Sequence, residues 1–145
     1  MAKEKTNEEV NSLEENQINQ ELIFKFNLYE QQIQQLQQQL QAVEQAIVEA
    51  SSLNFGLDDL KESKDKEILA SIGKGMFIKS KIISDDLIVD IGGKNFVKKS
   101  IPETQELIKE QIEKLERIKK ELEEQLEKIS EELTQLYIEA QEKNR

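Results

Sequence analysis

Residues 71–79 read Ser-Ile-Gly-Lys-Gly-Met-Phe-Ile-Lys, and residues 90–98 read Asp-Ile-Gly-Gly-Lys-Asn-Phe-Val-Lys. The two segments align without a gap at an offset of nineteen residues. In each copy an apolar run enters a glycine turn, and an aromatic, β-branched run leaves it. This pattern is typical of a β-hairpin and predicts two hairpins in succession, with a turn at Asp85-Asp86 between them.

The alternation of the predicted strands gives the sheet one apolar face and one polar face. The apolar face carries Ile68, Ala70, Ile82 and most of the interface residues given at the end of this paragraph. The polar face carries Lys79, Lys81, Asp90 and Lys98. Four short strands cannot bury such a face alone, and their outer edges remain unpaired. The strands are therefore expected to meet other sheets and to assemble into an oligomeric β-barrel. The candidate interface residues are Ile72, Phe77, Ile78, Leu87, Val89, Ile91, Phe96 and Val97.

Both segments that flank the hairpins carry heptad repeats. Alternating steps of four and three lead from Leu22 to Ala50 through apolar residues only. The second series runs from Ile108 to Ala140, and Lys119 is its one polar member. A register kept for about four heptads is the signature of a coiled-coil seam, although the glutamine-rich stretch from Gln31 to Gln41 taken alone also suits low-complexity disorder.

The two seams have similar lengths, roughly 42 and 48 Å at about 1.5 Å per residue, which favours an antiparallel pair. Gly56 is the expected C-terminal cap of the first helix, and residues 100–103, Ser-Ile-Pro-Glu, match a capping box that opens the second. The predicted organisation is a polar extension at 1–17, a first coiled-coil helix at 18–54, the hairpins at 66–101 and a second coiled-coil helix at 102–142. The fold class is mainly α, and the chain forms functionally one domain.

Composition and charge exclude several classes of function. The chain of 145 residues has a formal net charge of −10. Residues 1–53 carry net −6, residues 54–102 net +1 and residues 103–145 net −5. This distribution gives no basic footprint for nucleic acid and no attraction to an anionic membrane.

Histidine and cysteine are both absent. Disulfides, Cys/His zinc sites, thiol nucleophiles and the usual neutral-pH general base are thereby excluded. No metal or cofactor is expected, although a carboxylate magnesium site is not excluded. No apolar run approaches a membrane span, and no signal region follows Met1, so we expect a cytoplasmic protein.

Apolar residues in excess of the seam collect where the free ends of the two helices meet. Rimmed apolar patches often mark binding sites, although such residues also suit packing in a wider bundle or against a neighbouring copy. The candidate binding residues are Ile18, Leu22, Ile23, Phe24, Leu28, Leu136, Tyr137 and Ile138.

A helix, two hairpins that each turn at Ile-Gly, and Ser-Ile-Pro-Glu at the start of a second helix resemble the alpha class of the prefoldin family. The resemblance covers nearly everything from about residue 18 onward. It is carried by residues 72–75, 77–79, 89–93 and 100–103. The second turn reads Gly-Gly-Lys where the family more often has Gly-x-Gly. Two hairpins indicate the alpha class, because beta-class subunits have one.

This resemblance implies an ATP-independent holding chaperone. Two alpha and four beta subunits would join through β-barrels into a hexamer with six coiled-coil tentacles. The tentacle tips would capture unfolded or nascent polypeptides and deliver them to a group II chaperonin. The implied partners are thus beta-class subunits, non-native polypeptides and the chaperonin, with no nucleic acid and no membrane.

Two alternatives stay open from the sequence. Some prefoldin-like alpha proteins assemble alone into filaments, and the predicted sheet suits propagation as well as closure. An enzyme built on carboxylates has only the abundance of Asp and Glu in its favour and lacks a predicted pocket. Gly73-Lys74-Gly75 lacks the spacing and the Ser/Thr of a phosphate loop.

Overall fold

Two long helices flank two separate β-hairpins along the chain in the computed structural model, which describes residues 2–143, with side chains from residue 12 onward. The predicted fold class of two helices around two strand pairs is confirmed. The elements are α1 (Ala2–Leu60), β1 (Glu67–Gly73), β2 (Met76–Lys81), β3 (Leu87–Asp90), β4 (Phe96–Lys99) and α2 (Ile101–Lys143). The chain forms two compact units. The first contains the described residues up to Ala42 and from Lys119, and the second is Val43–Ile118.

The first unit is an antiparallel coiled coil of the N-terminal part of α1 and the C-terminal part of α2. Leu36, Leu122 and Leu136 are buried, and the other predicted seam positions of this unit are half-buried. Lys143, near the end of α2, lines a shallow depression together with Ile18 and Leu22, which fixes the antiparallel direction. Full burial of a Leu side chain contributes about 1.5–3 kcal/mol, and these three leucines come close to it, so the seam stabilises this unit.

The second unit has its own small core where the end of α1 meets the start of α2. Leu57, Ile101 and Ile108 are buried together. Ala50, Leu60, Leu87 and Ile112 pack against them. Leu87 belongs to β3, so this core also anchors the second hairpin to the helices.

The predicted end of the first helix was wrong. The helix continues through Gly56 to Leu60, so Gly56 is an interior residue and not a cap. A glycine inside a helix costs about 1 kcal/mol. Burial of Leu57 against Ile101 exceeds this cost, because tertiary packing stabilises helices more than local propensity does.

The predicted start of the first helix also differs from the structure. Residues 2–17, predicted as a polar extension, are the first part of α1, and Met1 lies outside the described residues. Glu and Lys are good helix formers, so this stretch is helical even though it lacks the apolar heptad repeat that begins at Leu22. The second helix begins at Ile101 and not at residue 102.

The two hairpins are antiparallel and are not hydrogen-bonded to each other. In the first, Ala70 pairs with Ile78 and Ser71 with Phe77; in the second, Val89 pairs with Val97. Every strand therefore has one partner and one free edge. The hairpin region starts at Glu67 and ends at Lys99, within the predicted 66–101.

The internal repeat produces equivalent turns. Gly73, Lys74 and Gly75 have φ angles of 106°, 51° and 75°, and their counterparts Gly92, Gly93 and Lys94 have 114°, 61° and 61°. Gly-Gly-Lys thus forms the same left-handed turn as Gly-Lys-Gly, because Lys74 and Lys94 both lie in the small left-handed region that a non-glycine residue enters only at some cost.

The start of α2 is capped as predicted. The Ser100 hydroxyl accepts a hydrogen bond from the Glu103 backbone N–H at 3.2 Å. Pro102 lies in the first turn, where no intrahelical donor is needed. Ile101, the first residue of the capped helix, is part of the core of the second unit.

Candidate functional site

Six of the eight candidate binding residues are exposed side chains of the first unit. Phe24 is 68% exposed, and Ile23 and Tyr137 are each 59% exposed. Ile18, Leu28 and Ile138 are exposed as well. The seam does not bury these side chains, so the end of the coiled coil presents an apolar surface to solvent.

Leu22 and Leu136 differ from the other six. Both lie on the seam, where Leu22 is half-buried and Leu136 only 9% exposed. Leu136 packs inside the coiled coil and offers little side-chain surface for a ligand. The position of Leu136 in the heptad repeat already indicated that its side chain is buried.

Tyr137 combines exposure with packing. Its ring meets Phe26 edge to face, with centroids 5.8 Å apart and planes at 75°. Such a pair adds about 0.5–1.5 kcal/mol beyond area burial. Tyr137 therefore packs against the seam residue Phe26 while most of its own surface stays exposed to water.

The sequence predicted that exposed apolar residues collect at the free ends of the two helices. In the structure such residues also occur elsewhere. Phe55 is 74% exposed. Val48, Leu53, Leu107 and Ile118 are also exposed on the helices of the second unit. Heptad analysis did not single out Phe55, Val48, Leu53 or Leu107, because these residues lie off the seam in stretches rich in other apolar residues.

The eight candidate interface residues divide into two groups. Exposed side chains form the first group, which contains Ile72, Phe77, Ile78, Ile91 and Phe96. The others, Leu87, Val89 and Val97, are half-buried. These three share one face of the second hairpin, and Leu87 on that face packs against the helical core, so this face is partly covered within the chain.

The opposite face of the second hairpin is the exposed one. Ile88 is 77% exposed and lies diagonally across the strands from Phe96. Ile83, in the link between the hairpins, is 83% exposed. The sequence analysis assigned neither Ile88 nor Ile83 to the interface, because it expected the face with Leu87, Val89 and Val97 to point outward.

An open apolar groove of about 680 Å³ lies between the hairpins. Its apolar lining includes Ile68, Ile82, Ile83, Ile88 and Phe96. Lys98, at the groove, forms a 3.2 Å ion pair with Asp86. An apolar groove with a charged rim is a suitable surface for another polypeptide.

The described part of the chain contains no cluster of His, Cys, Asp or Glu able to hold a metal ion. Over the same residues no helix is long and apolar enough to cross a bilayer. Gly73-Lys74-Gly75 joins two strands and precedes no helix, so it lacks the architecture of a phosphate loop.

Comparison with known proteins agrees with this architecture. The sequence model of the prefoldin family, described as prefoldin subunit, matches residues 29–145. The chain belongs to the prefoldin family. Prefoldins are non-enzymatic chaperones, so membership of this family does not support the alternative of a carboxylate enzyme.

Curated prefoldins similar to this chain carry the alpha designation, as the two hairpins predicted. Prefoldin subunit alpha of Methanobrevibacter smithii is 36% identical over 89 residues, 61% of each chain. Prefoldin subunit alpha of Methanosphaera stadtmanae is 28% identical over 96 residues, 66% of this chain and 70% of the relative. The chain thus spans about three fifths of the length of the first relative.

A solved prefoldin structure has the same fold. The cryo-EM structure of filamentous PFD from Methanocaldococcus jannaschii superposes with a TM-score of 0.69 at 21% identity. The match covers 78% of this chain and 95% of that one.

Proposed function

We propose that this chain is the alpha-type subunit of an ATP-independent holding chaperone that captures non-native polypeptides at the end of its coiled coil. The observation that carries the proposal is the exposed group Ile23, Phe24 and Tyr137 beside an intact seam. An unfolded polypeptide exposes scattered apolar side chains, and this surface offers apolar contact without any rearrangement of the coiled coil.

Binding by contact alone requires no chemical step. Each apolar side chain that a client covers contributes about 25 cal/mol per Å². Several weak contacts spread over the surface favour promiscuous and reversible holding. The high negative charge of the flanking helices keeps a surface of this kind soluble.

Assembly through the hairpins completes the proposal. The free strand edges and exposed Ile78, Ile88 and Phe96 are suited to pairing with further hairpins. We assign beta-class subunits as the partners in a cytoplasmic hexamer, and a group II chaperonin as the acceptor of the clients.

The test changes Ile23, Phe24 and Ile138 together to Ser in the full chain, assembled with a beta-class partner. Suppression of client aggregation is expected to weaken, with oligomer size unchanged, and helix stability is expected to fall little because all three side chains are exposed. Adding ATP is expected to change nothing. If the triple variant suppresses aggregation as well as the parent, this surface does not hold clients.

Leu36→Ser is the matched control. Leu36 is a buried seam residue, so the change costs about 2–5 kcal/mol and loosens the coiled coil. Thermal helix loss is expected to move for Leu36→Ser and not for the surface triple. Comparing the two variants separates loss of surface from loss of stability.

Self-assembly into filaments is the second candidate function. Its support is the set of free strand edges together with the fold shared with a filamentous prefoldin. Electron microscopy of the chain purified alone distinguishes the two. Long filaments favour the structural role, and discrete particles that form only with a beta-class partner favour the hexamer.

A further inference from the structure

The free end of the coiled coil, residues 12–30 of α1 with residues 130–143 of α2, is strongly acidic. The ring contact between Phe26 and Tyr137 joins the two segments. Together they contain eight acidic and two basic residues, so their formal net charge is −6. The acidic residues, all exposed, are Glu14, Glu15, Glu21, Glu30, Glu131, Glu132, Glu139 and Glu142.

The negative charge of the first unit is concentrated at this end. The rest of the unit, residues 31–42 and 119–129, contains four acidic and three basic residues, and its formal net charge is −1. Its exposed side chains are mainly glutamines on α1 and residues of both signs on α2. The excess charge therefore lies at the same end as the exposed apolar side chains proposed to hold clients.

Glutamates lie directly beside these apolar side chains. Three of them share a shallow depression or a helical turn with a residue of the client surface: Glu15 with Ile18, Glu21 with Phe24, and Glu142 with Ile138. The two lysines of this end, Lys25 and Lys143, line the same depressions. The client surface is thus an apolar patch with a rim in which negative charge outnumbers positive charge.

The carboxylates of this rim are not neutralised by ion pairs. Among the residues with described side chains, none of the eight glutamates forms an ion pair with a lysine or an arginine. Their negative charge is therefore presented to solvent and to anything that binds at this end.

We propose that the client surface of this chain prefers unfolded segments in which apolar side chains alternate with Lys or Arg, and disfavours acidic segments. This inference rests on the proposed holding function and names its client class. Apolar contact is indifferent to the charge of the client, whereas the negative potential of the rim attracts cations and repels anions. The glutamates also keep the surface soluble, but their field acts on every client whatever else they do.

Lysine and arginine suit this surface for a second reason. Their aliphatic stems pack along apolar side chains while the charged heads reach outward, so one client residue contacts both the patch and its rim. A single exposed ion pair contributes little, so the preference requires several rim glutamates to act together.

The first experiment uses three unfolded peptides with one apolar sequence whose spacer residues are all Lys, all Gln or all Glu. Fluorescence anisotropy measures their binding to the full chain assembled with a beta-class partner. The Lys peptide is expected to bind about tenfold more tightly than the Glu peptide at about 0.1 M salt, with the Gln peptide between them. At about 1 M salt the screening length falls from about 10 to about 3 Å, and the preference is expected to disappear while the Gln peptide still binds.

The second experiment neutralises the rim with Glu15→Gln, Glu21→Gln and Glu142→Gln together. The preference for the Lys peptide over the Glu peptide is expected to fall by about threefold or more, with binding of the Gln peptide unchanged. The control neutralises three exposed glutamates of the same unit, Glu121, Glu124 and Glu127. At about 1.5 Å per residue these lie roughly 16 Å or more along α2 from Ile138, beyond the screening length of about 10 Å, so the control is expected to keep the preference.

The outcomes separate this inference from the proposed function. If none of the three peptides binds, the client surface itself is wrong and the charge preference falls with it. If all three bind equally at low salt, client holding stands and the charge preference is overturned. Equal loss of preference in the rim and control triples would also overturn it, because the net charge of the whole chain would then explain the effect.

Discussion

Gln105 links the two helices of the second unit through a single amide. Its Nε2 donates to the backbone carbonyl of Asn54 at 3.2 Å and to the Asp58 carboxylate at 2.7 Å. The hydrogen bond from Gln105, and then that from Lys61, lowers the pKa of Asp58 below its ordinary value. An ionised acceptor makes the stronger hydrogen bond, so this link depends on pH.

We predict that the link stabilises the fold above the ordinary carboxyl pKa and is lost as the pH falls through the lowered pKa of Asp58. Gln105→Ala is expected to raise the pKa of Asp58, and its stability deficit relative to the parent is expected to shrink in acid. Carboxyl NMR titration and thermal unfolding measure the two effects. Gln111→Ala, an exposed change on the same helix, is the control, and an equal Asp58 pKa in both variants would contradict the prediction.

Individual side chains of the hairpins were only partly predictable. The repeat located both turns, because glycine marks positive φ wherever it recurs. Alternation identified the two faces of the second hairpin but not which one faces solvent. Leu87 rather than Ile88 contacts the helical core, and only the packing of β3 on α1 and α2 decides this.

The coiled-coil register was fully predictable at the scale of the helices. Every seam position from Leu22 to Ala50 and from Ile108 to Ala140 is buried or half-buried. Periodicity over many turns leaves few alternatives, since a shift of one residue would expose the whole seam. The C-terminal end of α1 was not predictable, because the burial of Leu57 outweighs the local signal of Gly56.

Lys119 is the polar member of the seam, and it is half-buried there. Among the interactions of Lys119, its ammonium lies 4.0 Å from the Glu123 carboxylate, and an ion pair at a partly exposed site contributes little. We predict that Lys119→Leu stabilises the coiled coil by about 1 kcal/mol. Thermal helix loss measures this.

Lys120→Leu serves as the control for this change. Lys120 is adjacent and exposed, so replacing it buries nothing and is expected to leave the melting temperature unchanged. If both leucine variants stabilise equally, Lys119 does not limit the seam.

At the scale of the whole molecule, we predict that Ile78→Asp with Ile88→Asp abolishes assembly with a beta-class partner. Both side chains are exposed in this chain, so the fold tolerates the change, whereas the interface would bury two unpaired carboxylates. Light scattering and far-UV circular dichroism report oligomer mass and helix content. Mass is expected to fall to that of the single chain with helix content retained.

Ile78→Val with Ile88→Val is the control at the same positions. It keeps the surface apolar and is expected to assemble normally. Val89, chosen from sequence alone as an interface residue, is unsuitable for this test because it is half-buried within the second hairpin. Normal assembly of the double Asp variant would exclude these faces from the interface.

The separation of the two hairpins gives each copy the character of a bifunctional monomer in step-growth polymerisation. Each two-stranded sheet has its own free edges, so pairing at one leaves the other reactive. If each sheet accepts one neighbour, copies of this chain alone yield linear products whose mean length rises with concentration, or rings where the bond angle closes. A partner with a single hairpin would act as a chain stopper, and the mixing ratio would then set the degree of polymerisation.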